Sequence, residues 1–260
     1  MKNKLFICGL FALMIGMVSC KSQRKDTKSA GGVPAAIADN SQNVLDWDGF
    51  YSGFLPCADC MGIRVSLELS EDRTFNLRLV YVGKDDGSFD SFGKISWDKE
   101  RNCITIGEGE DKMQFLIGEN LLTALDREGN KITGELAENY ILVKVDLNLV
   151  EKYWKLTDFS GEPAVTPEGG KEAHIMLKKE DCRVSGSGGC NSFTGAYTLK
   201  PNNGIIFSQM ASTMKMCLNM DTETKLKQTL EATDGYTLDG DILILMAGAD
   251  SLARFEAVYR

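Results

Sequence analysis

Residues 51–63 read Tyr51-Ser52-Gly53-Phe54-Leu55-Pro56-Cys57-Ala58-Asp59-Cys60-Met61-Gly62-Ile63, and the first half of the chain is organised around them. Cys57 and Cys60 have the spacing shared by redox dithiols, local disulfides and half of a soft-metal site, and spacing alone leaves the three open. Pro56 fixes one backbone angle and removes an amide donor, which places the cysteines on a loop rather than inside a paired central strand. The thiols are therefore reachable. Asp59, between them, opposes thiolate formation in its neighbours, whereas reactive CxxC sites gather positive charge. That argues against an efficient thiol oxidoreductase.

Downstream the pattern is that of short strands. Val65, Leu67 and Leu69 alternate with Ser66 and Glu68, while Phe75, Leu77 and Leu79 alternate with Asn76 and Arg78. The break Ser70-Glu71-Asp72-Arg73 makes the two a hairpin. Turn signals then separate runs at Phe89 to Trp97, Cys103 to Ile106, Met113 to Ile117, Leu121 to Leu125 and Tyr140 to Val145, with no amphipathic helix among them. Consecutive antiparallel strands in this number remove their open edges by curling into an up-and-down barrel.

Upstream, Lys2 and Lys4 precede an uncharged apolar run from Leu5 to Val18, then Ser19-Cys20. A basic start, a short apolar core and a small residue before the break mark a secretory signal, here residues 1–19, too short to span a bilayer comfortably. Met17-Val18-Ser19-Cys20 resembles a bacterial lipobox, which implies lipidation of Cys20 and attachment to the membrane through its acyl chains. Residues 20–45 are poor in large apolar side chains and read as a disordered tether. The chain carries a formal charge of −8 with pI about 4.9, so nothing in it offers the basic patch of a nucleic-acid-binding protein.

The run Tyr51 to Cys60, continuing through Gly62-Ile63, resembles the N-terminal domain of the NlpE family of envelope lipoproteins, associated with copper resistance and surface stress signalling. The resemblance covers about a hundred residues, taken as 46–146. It implies a small lipocalin-like barrel with Cys57 and Cys60 as the family's CxxC pair at one end. Enterobacterial members carry an OB-like second domain. The second half of this chain has a different pattern, so roles tied to that domain are not carried over.

Residues 147–260 open with Tyr153-Trp154-Lys155-Leu156. They continue with a strand pair at Ala173 to Leu177 and Cys182 to Ser185, the glycine-rich run Gly186 to Tyr197, a strand at Gly204 to Phe207, and Met210 to Cys217. The glycine run lacks the GK[ST] ending of a phosphate loop. Asp221 or Thr222 is placed to cap a helix to about Thr233 with Leu226 and Leu230 on one face, and a hairpin around Gly248 closes the chain. Trp154, Gly188-Gly189-Cys190-Asn191, Gly195, Tyr197, Met210, Thr213-Met214, Cys217, Glu223, Leu243 and Leu245 resemble the META domain, the HslJ-like fold. That implies an α+β domain, a bent antiparallel sheet with one helix, and no enzymatic activity.

The chain has eight cysteines, of which Cys8 lies in the signal. An oxidising envelope space favours pairing. Cys57 and Cys60 are expected as a short-loop disulfide, and Cys190 and Cys217, in the two META motif segments, as a second disulfide. Cys103 and Cys182, in strand patterns of different halves, read as buried small hydrophobes. Reduced, Cys57 and Cys60 offer thiolates suited to Cu(I), so copper is a candidate ligand, though no cofactor is required. Met210, Met214, Met216 and Met220 are thioethers too, read as core fillers. His174 is the only histidine, which excludes a zinc site of several imidazoles, and no GxSxG elbow accompanies it; it reads as structural or surface.

Taken together, the sequence predicts a mainly β, lipid-anchored protein of the bacterial envelope, at the outer membrane and facing periplasm or surface. It would act without catalysis in envelope stress or copper tolerance, with a stress-signalling partner. The alternative is a carrier of a small apolar or lipid-like ligand inside the barrel.

Overall fold

The computed structural model describes residues 46–166 and 168–259; the signal, the tether and Cys20 lie outside them. The first nine strands are β1 (Gly49–Leu55), β2 (Ile63–Leu69), β3 (Thr74–Tyr81), β4 (Ser88–Lys94), β5 (Ser96–Asp98), β6 (Cys103–Ile106), β7 (Met113–Gly118), β8 (Leu121–Ala124) and β9 (Ile141–Lys144). They form one antiparallel sheet in the order β4-β3-β2-β1-β9-β8-β7-β6-β5. Its two edges, β4 and β5, are halves of a single segment broken only at Ile95. The run that reads continuously from Phe89 to Trp97 therefore pairs with β3 up to Lys94 and with β6 from Ser96. The sheet is nearly closed as a barrel.

Period-two alternation decides what fills it. Tyr51, Leu55, Val65, Leu67, Leu69, Phe75, Leu77, Ile104, Ile106, Phe115, Leu122 and Leu142 form one buried cluster. The opposite face of β1 and β2 is buried as well: Ser52, Arg64 and Ser66 are 1%, 8% and 5% exposed. They face the second half of the molecule, where Cys182 lies close by. On β4, by contrast, Phe89 and Phe92 are exposed.

The second sheet contains β10 (Tyr153–Phe159), β11 (Glu162–Pro163), β12 (His174–Lys178), β13 (Arg183–Ser187), β14 (Ser192–Lys200), β15 (Gly204–Ser212), β16 (Gly235–Asp239), β17 (Ile242–Ala247) and β18 (Asp250–Val258). Its order is β11-β10-β12-β13-β14-β15-β16-β17-β18, and β18 also pairs with β10, so this sheet bends round on itself. One helix, α1 (Asp221–Ala232), lays Thr222, Leu226, Thr229 and Leu230 inward. Leu226 and Leu230 join a core built on Trp154, Ile175, Leu177, Val184, Tyr197, Leu243 and Phe255.

Three expectations are corrected here. Neither Asp221 nor Thr222 caps α1: the cap position is Met220, Asn219 Oδ1 accepts the Asp221 N–H at 2.9 Å, and the Thr222 hydroxyl donates to the Val165 carbonyl at 2.7 Å. Strand β16, between the helix and the final hairpin, fills a stretch to which the sequence analysis assigned no element. Cys182 is buried, as a small hydrophobe would be, yet sits in the turn before β13 with φ +50° rather than in the strand. Met214 and Met216 are not core fillers but 96% and 95% exposed. They follow the end of β15 on a segment that hydrogen bonds and a sulfur bridge hold on the outside, as described below.

Candidate functional site

The β1–β2 register, Leu55 opposite Ile63, leaves residues 56–62 as the connecting loop. Pro56 ends the pairing, and Gly62 closes it with φ +145°, where a Cβ would stand 2.2 Å from the Phe54 ring. No other residue type fits both conditions. The Met61 N–H donates to the Val82 carbonyl at 3.1 Å and the Val82 N–H to the Gly62 carbonyl at 2.9 Å, so the loop is fastened to the turn after β3.

Within it Cys57 and Cys60 are bonded, with S–S 2.03 Å and Cα–Cα 5.4 Å. Both are half-buried, while Ala58, Asp59 and Met61 are exposed. The two sulfurs and an Asp59 carboxylate oxygen lie within 4.8 Å of one another. Lys84 Nζ donates to Asp59 Oδ2 at 2.5 Å. That hydrogen bond, with the charge behind it, holds the Asp59 carboxyl below the usual carboxylate range. Sequence reasoning placed Asp59 as an obstacle to thiolate formation and missed Lys84, which the hairpin turn brings back to neutralise it. The only available signal was a lysine in the next turn at the same end of the barrel.

The chemistry open to this loop is limited and clear. Reduction would break the S–S bond and add two electrons and two protons, leaving two thiols beside a carboxylate. Deprotonated, they are soft ligands that fit Cu(I); bonded, they are no ligands at all. Lys84→Gln is expected to leave the Asp59 charge facing Cys57 unscreened and to slow alkylation of reduced Cys57 near neutral pH by roughly twofold to fivefold, as for exposed, solvent-screened charges. Asp59→Asn should accelerate it; rates of mass gain on the reduced protein measure both, and equal rates would show that the pair does not set thiol reactivity.

A second constellation lies in the other sheet. Cys190 and Cys217 are bonded, S–S 1.97 Å and Cα–Cα 6.1 Å. Asn191, 3% exposed, donates through Nδ2 to Glu223 Oε1 at 2.8 Å and to the Lys215 carbonyl at 3.0 Å. Its Oδ1 accepts from the Thr213 hydroxyl and the Lys215 N–H, both at 2.7 Å, and its own N–H donates to Glu223 Oε2 at 2.7 Å. Gly188 allows the close approach of α1, since a Cβ there would meet Glu223 at 2.5 Å. The motif residues are thus a clasp for residues 213–217, and what the clasp presents outward is apolar: Met214, Met216 and Leu218 are all almost completely exposed.

The remaining candidates are structural in their surroundings. His174 stacks on Tyr153 with ring centroids 4.2 Å apart, its Nδ1 3.1 Å from the Glu172 carbonyl. Cys103 and Cys182 are free buried thiols, and burial pushes both thiols up.

Comparison with known proteins agrees with this architecture. Residues 51–135 match the NlpE N-terminal domain and residues 147–259 the META domain. The lipoprotein NlpE of Escherichia coli (strain K12) is 34% identical over 139 residues, 52% of each chain, so the chain spans about half the length of this curated relative. Among solved structures, a chain from Shewanella oneidensis, provisionally termed a lipoprotein, is 49% identical with TM-score 0.40, covering 43% of this chain and all of its own. The Cpx pathway activator NlpE from Escherichia coli is 19% identical with TM-score 0.29, covering 66% of this chain and 98% of its own. The chain is thus similar to the NlpE N-terminal domain over residues 51–135 and to the META domain over residues 147–259, in that order.

Proposed function

We propose that this is a lipid-anchored protein of the bacterial envelope that reports redox or metal state through the Cys57–Cys60 loop, in envelope stress or copper tolerance. Cys20 would be the lipidated residue, and residues 46–146 and 147–260 the two working domains. The observation that carries the reading is the geometry of the loop: two half-buried sulfurs on a fastened, solvent-facing turn, with a carboxylate and a lysine beside them. Kinship with the lipoprotein NlpE supports the envelope setting.

Such a loop has two forms that differ in shape and charge. The bonded form is compact and uncharged at sulfur; the dithiol, or its thiolates on Cu(I), carries new donors and negative charge that a signalling partner can distinguish. Copper, when bound, would be held by Cys57 and Cys60 with Asp59 at hand. The Cys190–Cys217 bond, closing a longer loop inside the clasp, acts as a staple.

The test is to trap thiols in intact cells with an alkylating reagent, with and without copper or reductive stress, and read each cysteine by mass spectrometry. Cys57 and Cys60 are expected to change state while Cys190 and Cys217 stay bonded. Permanent oxidation of all four under every condition would remove both the sensor and the copper site.

A further inference from the structure

A cleft of about 370 Å³ opens between the outer face of β1–β2, the turn around Leu136, and strands β14 and β15. Its volume falls in the range of small-molecule sites. In an acidic chain of charge −8, no carboxylate lines it, and its two charged residues are both cationic, Arg64 and Lys200. Apolar side chains flank the two cations: Phe54, directly across the β1–β2 register from Arg64, is half-buried, and Ile206 and Leu136 are 44% and 56% exposed.

Arg64 is 8% exposed, yet among the described residues it has no ion pair within 4 Å. Asp181 is close enough to attract it, and Arg183 to repel it, without contact. Burial above all, with the nearby Arg183 charge, pushes its guanidinium below the ordinary arginine value, against the pull of Cys182 and Asp181. Its one hydrogen-bond acceptor among the described residues is Gln209, Nη2 to Oε1 at 3.3 Å. A guanidinium has five N–H donors, so most of this group's capacity is unused. Lys200 likewise has no ion pair among the described residues.

Gln209 reaches Arg64 by an unusual route. Ala196 pairs with Ser208 and Thr194 with Ala211, so two residues of β15 oppose Gly195 alone. This β-bulge puts Gln209 at φ +52°, a left-handed conformation that strains a non-glycine residue. Bulges of this kind re-aim side chains beside sites.

We propose that the cleft binds a single-chain amphiphile with one anionic head, a carboxylate or a phosphate monoester. The head sits on Arg64 and Lys200 with Gln209 steering the guanidinium, and the chain lies along Phe54, Leu136 and Ile206. The site is outside the barrel, formed jointly by both domains. Pro56, the neighbour of Cys57, lies in its wall.

Calorimetric titration of the full chain carrying Cys20→Ala tests this, with decanoate, decyl phosphate, decan-1-ol and inorganic phosphate as probes below micellar concentrations. At least one anionic amphiphile should saturate a single site tenfold or more tighter than either decan-1-ol or phosphate. The preferred head then tells a free fatty acid from a phosphate-headed lipid. Lys200→Ser, at a half-buried position without an ion pair among the described residues, and Ile206→Asp, at an exposed one, should weaken that binding tenfold or more without lowering Tm, and Arg64→Gln should do the same if it folds. Equal affinity for decan-1-ol, equal affinity for inorganic phosphate, or unchanged binding in the Lys200 and Ile206 variants would each overturn the proposal.

Discussion

Asn191→Ala is expected to destabilise the second domain by about 3 kcal/mol, lowering the Tm of its unfolding transition by roughly 10–18 °C. The side chain satisfies the Glu223 carboxylate, the Thr213 hydroxyl and both backbone groups of Lys215. Truncation leaves part-buried partners without it, and each such orphan costs on the order of 1–3 kcal/mol. Asn191→Asp is nearly isosteric yet should be at least as damaging, because it replaces a donor with a second carboxylate facing Glu223. A further readout separates clasp from filler: with residues 213–217 released, the Cys190–Cys217 bond should be reduced faster by dithiothreitol in the Ala variant. A thermal scan showing less than 1 kcal/mol of change would mean that the network is ornamental to stability.

Trp154→Ala is expected to cost about 4 kcal/mol, within the range for deleting a buried aromatic side chain. The indole is fully buried, its Nε1–H donates to the Leu149 carbonyl at 2.8 Å, and Lys152 Nζ lies 5.5 Å from the ring centroid. It projects from β10, the strand that pairs with both β12 and β18. Trp154→Phe keeps most of the apolar volume but orphans the Leu149 carbonyl, so roughly 1–3 kcal/mol should still be lost. Denaturant unfolding followed at the second domain distinguishes them; a loss below 2 kcal/mol for the alanine variant would show that the sheet tolerates opening at β10.

Much of the fold was legible because strands announce themselves by alternation. Val65, Leu67 and Leu69 had to share a face, and they do. What alternation could not reveal was the other face: Arg64 and Ser66 look like solvent positions, and only the packing of the second sheet buries them. The same blindness hid the kink at Ile95, since a continuous apolar and aromatic run says nothing about which neighbour each half will pair with. At the candidate site, the CxxC spacing exposed the sulfurs, but Lys84 depends on a hairpin turn folding back, a tertiary event. Met214 and Met216 were misread for a related reason. Methionine is usually buried, and the bonds that hold these two outward belong to Asn191, more than twenty positions away.

The pairing of β10 with β18 has a consequence for biogenesis. A chain synthesised amino end first presents β10 long before β18, which closes at Val258. The second core therefore stays without its closing strand, with Trp154 on the waiting seam, until β18 has been made. Pairings so distant in sequence form slowly, and open strand edges in unfinished domains invite misassembly. The second domain's most vulnerable interval is thus the one before β18 is in place. Loss of the nine residues of β18 would leave β10 and β17 as permanent open edges and make the chain a target for proteolysis.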